Sequence, residues 1–241
     1  DEQATAGLAT DSLMVRAIQE IKNAVPEMRV GTEVCACAYH AQGECVLVDE
    51  NGVDNAATHR LVAQMSVLHA DAGADVVVAG LTHDGSIRAM RTALDESGHG
   101  NVQIQGSVQL RTGFYGPYRK MMGTEPEAGE TFRAHQPQTD RDAVISVARR
   151  HVEEGAALLS VQPALLGVPL LAPIKTATGV PVAAYSVSTE LNLVRGSSPD
   201  LWLGKGQESI LAEYYTMLLQ AGADQVQSYV AGDLAAWLGN R

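Results

Sequence analysis

The chain is poor in several things at once. Among 241 residues there are three cysteines, four lysines, two tryptophans and two phenylalanines, and aromatics make up only 5%. No apolar run approaches the length of a bilayer span, so no membrane partner is expected. No G-x-G-x-x-G follows a strand-like segment, which removes support for a dinucleotide-binding sheet. Positive charge is also scarce: 17 Lys and Arg stand against 28 Asp and Glu, a formal net charge of −11. Such a surface repels phosphate backbones, so nucleic acid is not expected as a partner. Residues 1–10 are polar and small, with no export signal, and a reduced, cytoplasmic setting follows as an expectation.

What is present is concentrated. All three cysteines fall within eleven residues, Cys35-Ala36-Cys37 and then Cys45. The segment Met28–Cys37 reads as a strand, and residues two apart on a strand share a face. Cys35 and Cys37 are thus expected to face one point, with the Gly43 loop returning Cys45 to it. Three thiolates suit a soft or borderline ion, above all Zn2+, with a fourth position open. A disulfide with one spare thiol, or three small buried hydrophobes, would also use these residues. A Cys35–Cys37 disulfide is geometrically poor.

The remaining chain alternates helix and strand. Helical spacing spans 11–24, and Asp54 opens a second helix that ends at Gly73. Asp75–Ala79 is a short, fully apolar strand of the kind found in buried parallel sheets. Further strands are expected at 102–108, 157–161, 180–187 and 224–230, with helices at 86–97, 140–154, 169–178, 208–220 and 233–238. Three strands share one preface: Ala72-Gly73-Ala74-Asp75, Glu154-Gly155-Ala156-Ala157 and Ala221-Gly222-Ala223-Asp224. A glycine there ends a helix in a left-handed turn. Serial βα units at this period mean a (β/α)8 barrel or an open doubly wound sheet. With 46% hydrophobic residues, one domain over 1–241 is expected. The irregular stretch 111–139, rich in Gly, Pro and charge, is too long for a simple connection; it is either disordered or, as expected here, an active-site lid. In barrels the chemistry sits where strands end. The cysteines, Thr82–Asp84, Gln109, Gln162 and Ser188 all fall there.

These strand-end residues resemble the porphobilinogen synthase (δ-aminolevulinic acid dehydratase) family over essentially the whole chain. Cys35, Cys37 and Cys45 match the spacing of its zinc-binding form. Asp84-Gly85 matches its Met-Asp-Gly turn, and Phe114-Tyr115-Gly116-Pro117-Tyr118-Arg119 is similar to its Phe-Tyr-Gly-Pro-Phe-Arg signature. Glu153 to Ala156, Gln162-Pro163-Ala164 and Pro181 to Ser188, with Tyr185 inside it, resemble three further family segments. The resemblance implies a TIM-type barrel, a zinc-dependent lyase, a small amino or keto carboxylic acid as substrate, and a homo-oligomer. It implies that Arg119, Tyr185, Ser188 and Tyr229 bind the substrate.

The departures carry as much information. The family forms Schiff bases through two lysines on adjacent strands; here those places hold Gln109 and Gln162. A carboxamide nitrogen is delocalised and forms no imine, so covalent catalysis by that route is lost. Of Lys22, Lys120, Lys175 and Lys205, only Lys120, beside Arg119, offers a substitute, and surface solvation is the favoured reading of it. The family's arginine pair ahead of Tyr-Gln is Thr131-Phe132 ahead of Ala134-His135, and its Ser-Asp is Gly80-Leu81. The family pattern also begins earlier, with an arm and about two strands that have no counterpart here.

The candidates for proton transfer are Glu33, His83 and Asp84. Glu33 precedes Cys35 by two and points the same way on a strand, or else is a solvated rim carboxylate. His83 is a fourth ligand, a general base or a satisfied loop histidine. Asp84 orients a ligand or simply makes the turn with Gly85. Three readings follow: a zinc-dependent enzyme of non-imine chemistry, a non-catalytic homologue, or porphobilinogen synthase itself.

Overall fold

The computed structural model describes residues 1–80, 83–122, 135–136, 139–196 and 207–239. Six strands form one parallel sheet: β1 (Gly31–Val34), β4 (Val76–Ala79), β5 (Gln103–Gln109), β6 (Leu158–Gln162), β7 (Val182–Tyr185) and β8 (Gln225–Gln227), in that spatial order. A two-stranded hairpin, β2 (Val48–Asp49) and β3 (Gly52–Val53), follows the cysteine loop. The helices are α1 (Leu13–Ala24), α2 (Asn55–Asp71), α3 (Ser86–Glu96), α4 (Gly116–Met122), α5 (Arg141–Glu153), α6 (Ala164–Thr178), α7 (Ser188–Gly196), α8 (Gln207–Gln220) and α9 (Ala231–Gly239).

Helix starts follow local chemistry. The Ser12 hydroxyl accepts the Val15 N–H at 3.3 Å, and Asp54 and Asp140 accept those of Ala57 and Ala143 at 2.8 and 2.9 Å. Each cap satisfies a donor that the first helical turn leaves open, worth about 1 kcal/mol. Gly73, Gly155 and Gly222 all sit at positive φ, 109–114°, so the repeated glycine is the left-handed stop that the sequence predicts.

The aspartates of this preface do more than the pattern shows. Asp75 accepts the Val30 N–H at 2.7 Å and the Lys22 ammonium at 2.5 Å. Asp224 repeats the arrangement with the Val182 N–H at 2.9 Å and Lys175 at 2.6 Å. In both, a carboxylate at the foot of one strand holds the first N–H of its neighbour and a lysine of the preceding helix. The ion pairs are partly exposed and are each worth at most about 1 kcal/mol. Their larger effect is registration: adjacent strands start level.

The sheet is curled. Gln105 on β5 and Gln227 on β8 exchange amide hydrogen bonds at 3.2 and 2.9 Å, although β6 and β7 both lie between them in the sheet order. That contact closes across the concave face, so the six strands make the larger part of a TIM-type barrel. The open sides of β1 and β8 do not pair with each other among the described residues. Residues facing out, such as Val77, Ile104, Leu159 and Val182, are fully buried under the helices. Their partners include Met65, Met90, Leu171 and Leu218, also fully buried. Each such side chain stabilises the fold by roughly 1.5–3 kcal/mol.

Several boundaries differ from the sequence pattern. The first strand stops at Val34, because the chain turns at Ala36, whose carbonyl accepts the Tyr39 and His40 N–H groups at 2.8 and 2.9 Å. The sixth helix begins at Ala164, not Pro169, and runs through Pro169 and Pro173. Proline favours a first helical turn, which made Pro169 look like a start. Pro169 is exposed, so the carbonyl it leaves open faces water. Hairpin β2–β3 and helix α7 were not foreseen. The expected lid is described only in part: a 3-10 turn at Gly113–Tyr115, α4, and Gln136, which bridges to Leu110. Residues 123–134 and 137–138 lie outside the described residues, as do Thr82 and Lys205.

Helix α6 packs closely on β6 through Gly167. A Cβ there would stand 2.4 Å from Val161 Cγ1. Alanine in a helix gains about 1 kcal/mol over glycine, but overpacking a core costs about 1–3 kcal/mol. Gly167→Ala is therefore expected to destabilise, by about 1 kcal/mol net in denaturant melts. Combined with Val161→Ala, it should show a favourable coupling in a double-mutant cycle.

Candidate active site

The strand ends surround a cavity of about 340 Å3. Ten of the twelve site residues expected from the sequence line it. From the β1 side come Glu33, Cys35, Cys37 and Cys45. From β5 and β6 come Gln109 and Gln162, and from the far wall Arg119, Tyr185, Ser188 and Tyr229.

The thiols converge as their spacing predicts, through a turn rather than a continued strand. The three sulfurs lie within 4.8 Å of one another, and Cys35 and Cys37 Sγ are 3.2 Å apart. All three are free, not disulfide-bonded. The loop is shaped by His40, whose Nδ1 accepts the Gln42 and Glu44 N–H groups at 3.4 Å each, and by Gly43 at φ 68°. Hydrogen bonds from Cys35 and Cys45, with the charge of Arg119, hold the Cys37 thiol well below its usual range. The same bonds and burial push Cys35 up. One thiolate shared among three sulfurs is a donor set for a soft or borderline cation. Around a tetrahedral ion with bonds of about 2.3 Å, sulfurs stand about 3.8 Å apart, which this cluster accommodates.

Glu33 projects from β1 into the cavity, open to solvent yet walled by the barrel. That enclosure, and then the nearby Cys37 thiolate, push its carboxyl up to about 7. It leaves room for nothing at position 80. A Cβ on Gly80 would sit 2.6 Å from Glu33 Oε1 and 3.0 Å from Cys35 Cβ.

Gln109 and Gln162 are register partners on adjacent parallel strands, so their carboxamides stand side by side. Gln109 Nε2 donates to the Gly80 carbonyl at 3.0 Å. The Gln162 carbonyl accepts the Tyr115 hydroxyl at 2.9 Å. No lysine lines the cavity among the described residues, and Lys120 is exposed on α4. Lys22 and Lys175 are committed to Asp75 and Asp224.

The opposite wall is aromatic. The Tyr185 and Tyr229 hydroxyls meet at 3.1 Å. Arg119 lies over the Tyr115 ring, 5.9 Å from its centroid, where a cation is attracted to the π face. Tyr115 and Tyr118 sit inside the matched signature, yet no role for either is legible from the residues alone. His135 packs edge-on to Tyr115 at 5.4 Å. Burial, then Arg119 and Arg111, push His135 down to about 4, so its ring is neutral at pH 7.

His83 and Asp84 do not join the cavity. His83 Nε2 meets Asn55 Oδ1 at 2.5 Å, at the start of α2, and Asp84 pairs with Arg150 of α5 at 2.6 Å. Gly85, at φ 83°, turns the chain outward there to begin α3. Both side chains thus serve helix packing outside the barrel, and the expectation that either moves a proton in the site has no geometric support.

A parallel barrel with a polar cavity and a cysteine triad at its strand ends is the frame of a metal-capable barrel enzyme. Comparison with known proteins makes the class specific. The family model for delta-aminolevulinic acid dehydratase matches residues 1–237. The dehydratase of Bacillus subtilis is 33% identical over 239 residues, covering 99% of this chain and 73% of that protein. That of Halalkalibacterium halodurans is 31% identical, covering 99% and 72%. The Toxoplasma gondii enzyme, solved with its product porphobilinogen, superposes with a TM-score of 0.90 at 27% identity, covering 98% of this chain and 67% of that one. The carboxyl transferase domain of Rhizobium etli pyruvate carboxylase, at 13% identity and a TM-score of 0.54, shares the fold alone. The chain belongs to the delta-aminolevulinic acid dehydratase family, whose members are lyase-type condensing enzymes.

The cysteine triad is expected to hold one divalent ion per chain, by elemental analysis of carefully prepared protein. Cys37→Ser should release it, while Arg119→Ala should retain it; full occupancy in the serine variant would remove the assignment.

Proposed function

We propose that this protein acts on a small amino or keto carboxylic acid of the 5-aminolevulinate kind, and does so without a Schiff base. The observation that carries this reading is the pair Gln109 and Gln162, side by side in the cavity where the family resemblance places two lysines. Neither carboxamide can attack a carbonyl, and both can hydrogen-bond one. Arg119, Ser188, Tyr185 and Tyr229 grip the substrate carboxylate from the far wall. Glu33, near 7, is the group suited to exchange a proton at neutral pH. Of the segment 111–139, the described residues Phe114, Tyr115, Tyr118, Arg119 and His135 line the site. A zinc ion held by Cys35, Cys37 and Cys45 supplies Lewis acidity when bound. A cytoplasmic homo-oligomer is part of the same proposal. No helix among the described residues is long and apolar enough to cross a membrane.

A second reading is porphobilinogen formation itself, and the names of the relatives favour it. Against it stands the loss of both amines. Positioned acid–base groups alone contribute about 10²–10⁴-fold, and loss of a covalent tether and electron sink costs more. A non-catalytic homologue is the third reading, and the retained carboxylate grip argues against it.

One set of measurements separates the three. The protein is incubated with 5-aminolevulinate, reduced with borohydride, and its intact mass read, with porphobilinogen assayed in parallel and levulinate binding followed by calorimetry. The proposal expects binding, no adduct, and porphobilinogen formation absent or very small. A stable lysine adduct, or vigorous porphobilinogen formation, overturns it in favour of the second reading. Absence of binding to the metal-loaded protein leaves the third.

A further inference from the structure

Glu190 stands behind the wall of the cavity, not in it. Its side chain is fully buried. Oε1 accepts the Leu165 N–H at 2.6 Å and Oε2 the Val187 N–H at 2.8 Å. Leu165 is the second residue of α6, just beyond Gln162 and the cis-linked Pro163. Val187 immediately precedes Ser188, the first residue of α7. One carboxylate therefore joins the ends of β6 and β7, the two strands that deliver Gln162 and Ser188 to the cavity. Thr189, next along, donates its hydroxyl to the Phe114 carbonyl at 2.6 Å and fastens the Phe114–Tyr115 wall to the same point.

Groups from every neighbouring element face Glu190. Tyr115 comes from the turn after β5, Tyr214 from α8, and the Ser186 hydroxyl from the end of β7. No ion pair with Glu190 is formed among the described residues, and the largest influences on it are burial and hydrogen bonds. An isolated buried carboxylate is costly unless hydrogen bonds satisfy it. Here the compensation comes chiefly from backbone donors at two strand ends, Leu165 with Ala164 beyond β6 and Val187 beyond β7, with the Ser186 hydroxyl beside them, so carboxylate and wall spacing are bound together.

We propose that Glu190 is a positioning residue: by holding Leu165 and Val187 on its two oxygens it sets the gap between the Gln162 and Ser188 walls, and thereby ligand affinity, without touching the ligand. The effect on affinity rests on the function proposed above; the effect on the two strand ends does not. Burial pushes the Glu190 carboxyl up to about 7, against the N–H donors of Leu165 and Val187. Above that pH both oxygens accept. Below it one oxygen carries a proton, and one of the two backbone bonds weakens. The clasp is thus tight on the alkaline side of 7 and loose on the acid side.

The test is hydrogen exchange by mass spectrometry on the metal-loaded full chain, in wild type and Glu190→Gln. The amide of Gln presents one acceptor and one donor, so one of the two N–H groups faces an NH2. Exchange at the amides of Leu165 and Val187 should rise on the order of tenfold or more, the loss expected for one buried hydrogen bond to a charged group. Exchange at Val108–Gln109 and the metal content should stay unchanged. In wild type, protection of both amides, corrected for intrinsic pH dependence, should fall as pH is lowered through 7, and in Glu190→Gln the profile should be flat. Levulinate affinity should weaken on the order of tenfold in the variant. Unchanged protection, or a wild-type profile that is flat across pH 7, overturns the proposal. If Glu190→Gln fails to fold, the wild-type profile decides alone. If wild type binds no levulinate, the function proposed above falls, and the exchange data still decide the role of Glu190.

Discussion

Parallel pairing is the constraint on which everything else rests. Strands that run parallel in one register end on one side, so residues far apart in sequence become neighbours without any contact of their own to bring them together. Gln109 and Gln162 are 53 residues apart and meet only because Gln105 is level with Leu158 four residues earlier. The levelling starts at the foot of the sheet, where Asp75 holds the N–H just ahead of β1 and Asp224 holds the first N–H of β7. A slip of one residue would turn every cavity residue on the slipped strand outward. The polar mouth and the salt-bridged foot are thus parts of one mechanism of alignment.

Much of this was legible in the sequence, and the reasons are local. The cysteine triad reads from spacing, since an i, i+2 pair and a glycine loop are short-range geometry. The strand order reads from apolar runs and the repeated Ala-Gly stop, because a helix end and a buried strand each carry their own signal. Glu33, Gln109, Gln162 and Ser188 follow from those two facts together. What failed depends on partners distant in sequence. His83 and Asp84 lie past a strand end, where no alternation fixes direction. Their partners, Asn55 and Arg150, are 28 and 66 residues away and pull both outward. Helix α6 was misjudged because its prolines look like starts until the exposed face that tolerates them is seen. Glu190 carries no periodic mark at all; its partners are backbone donors, which every sequence has.

The lysines show how a scarce residue is spent. Two of the four hold strand feet, one is solvated on α4, and the fourth lies outside the described residues. The cavity is left with an arginine, hydroxyls and carboxamides for recognition. Arginine cannot be deprotonated at physiological pH and makes no imine; it can only bind. The far wall offers hydrogen bonds and charge, and Glu33 and the thiols stand together on the β1 side.

The close approach of Glu33 to Gly80 couples two positions on neighbouring strands. A Cβ at position 80 would stand 2.6 Å from Glu33 Oε1 and 3.0 Å from Cys35 Cβ. The carboxylate is the far end of a flexible side chain and can swing aside, whereas the cysteine Cβ is fixed to the backbone. A side chain at 80 would therefore move the acid before it moved the thiols. The bare backbone after β4 thus sets where the carboxylate of β1 stands, and position 80 acts on the chemistry of the cavity without contributing an atom to it.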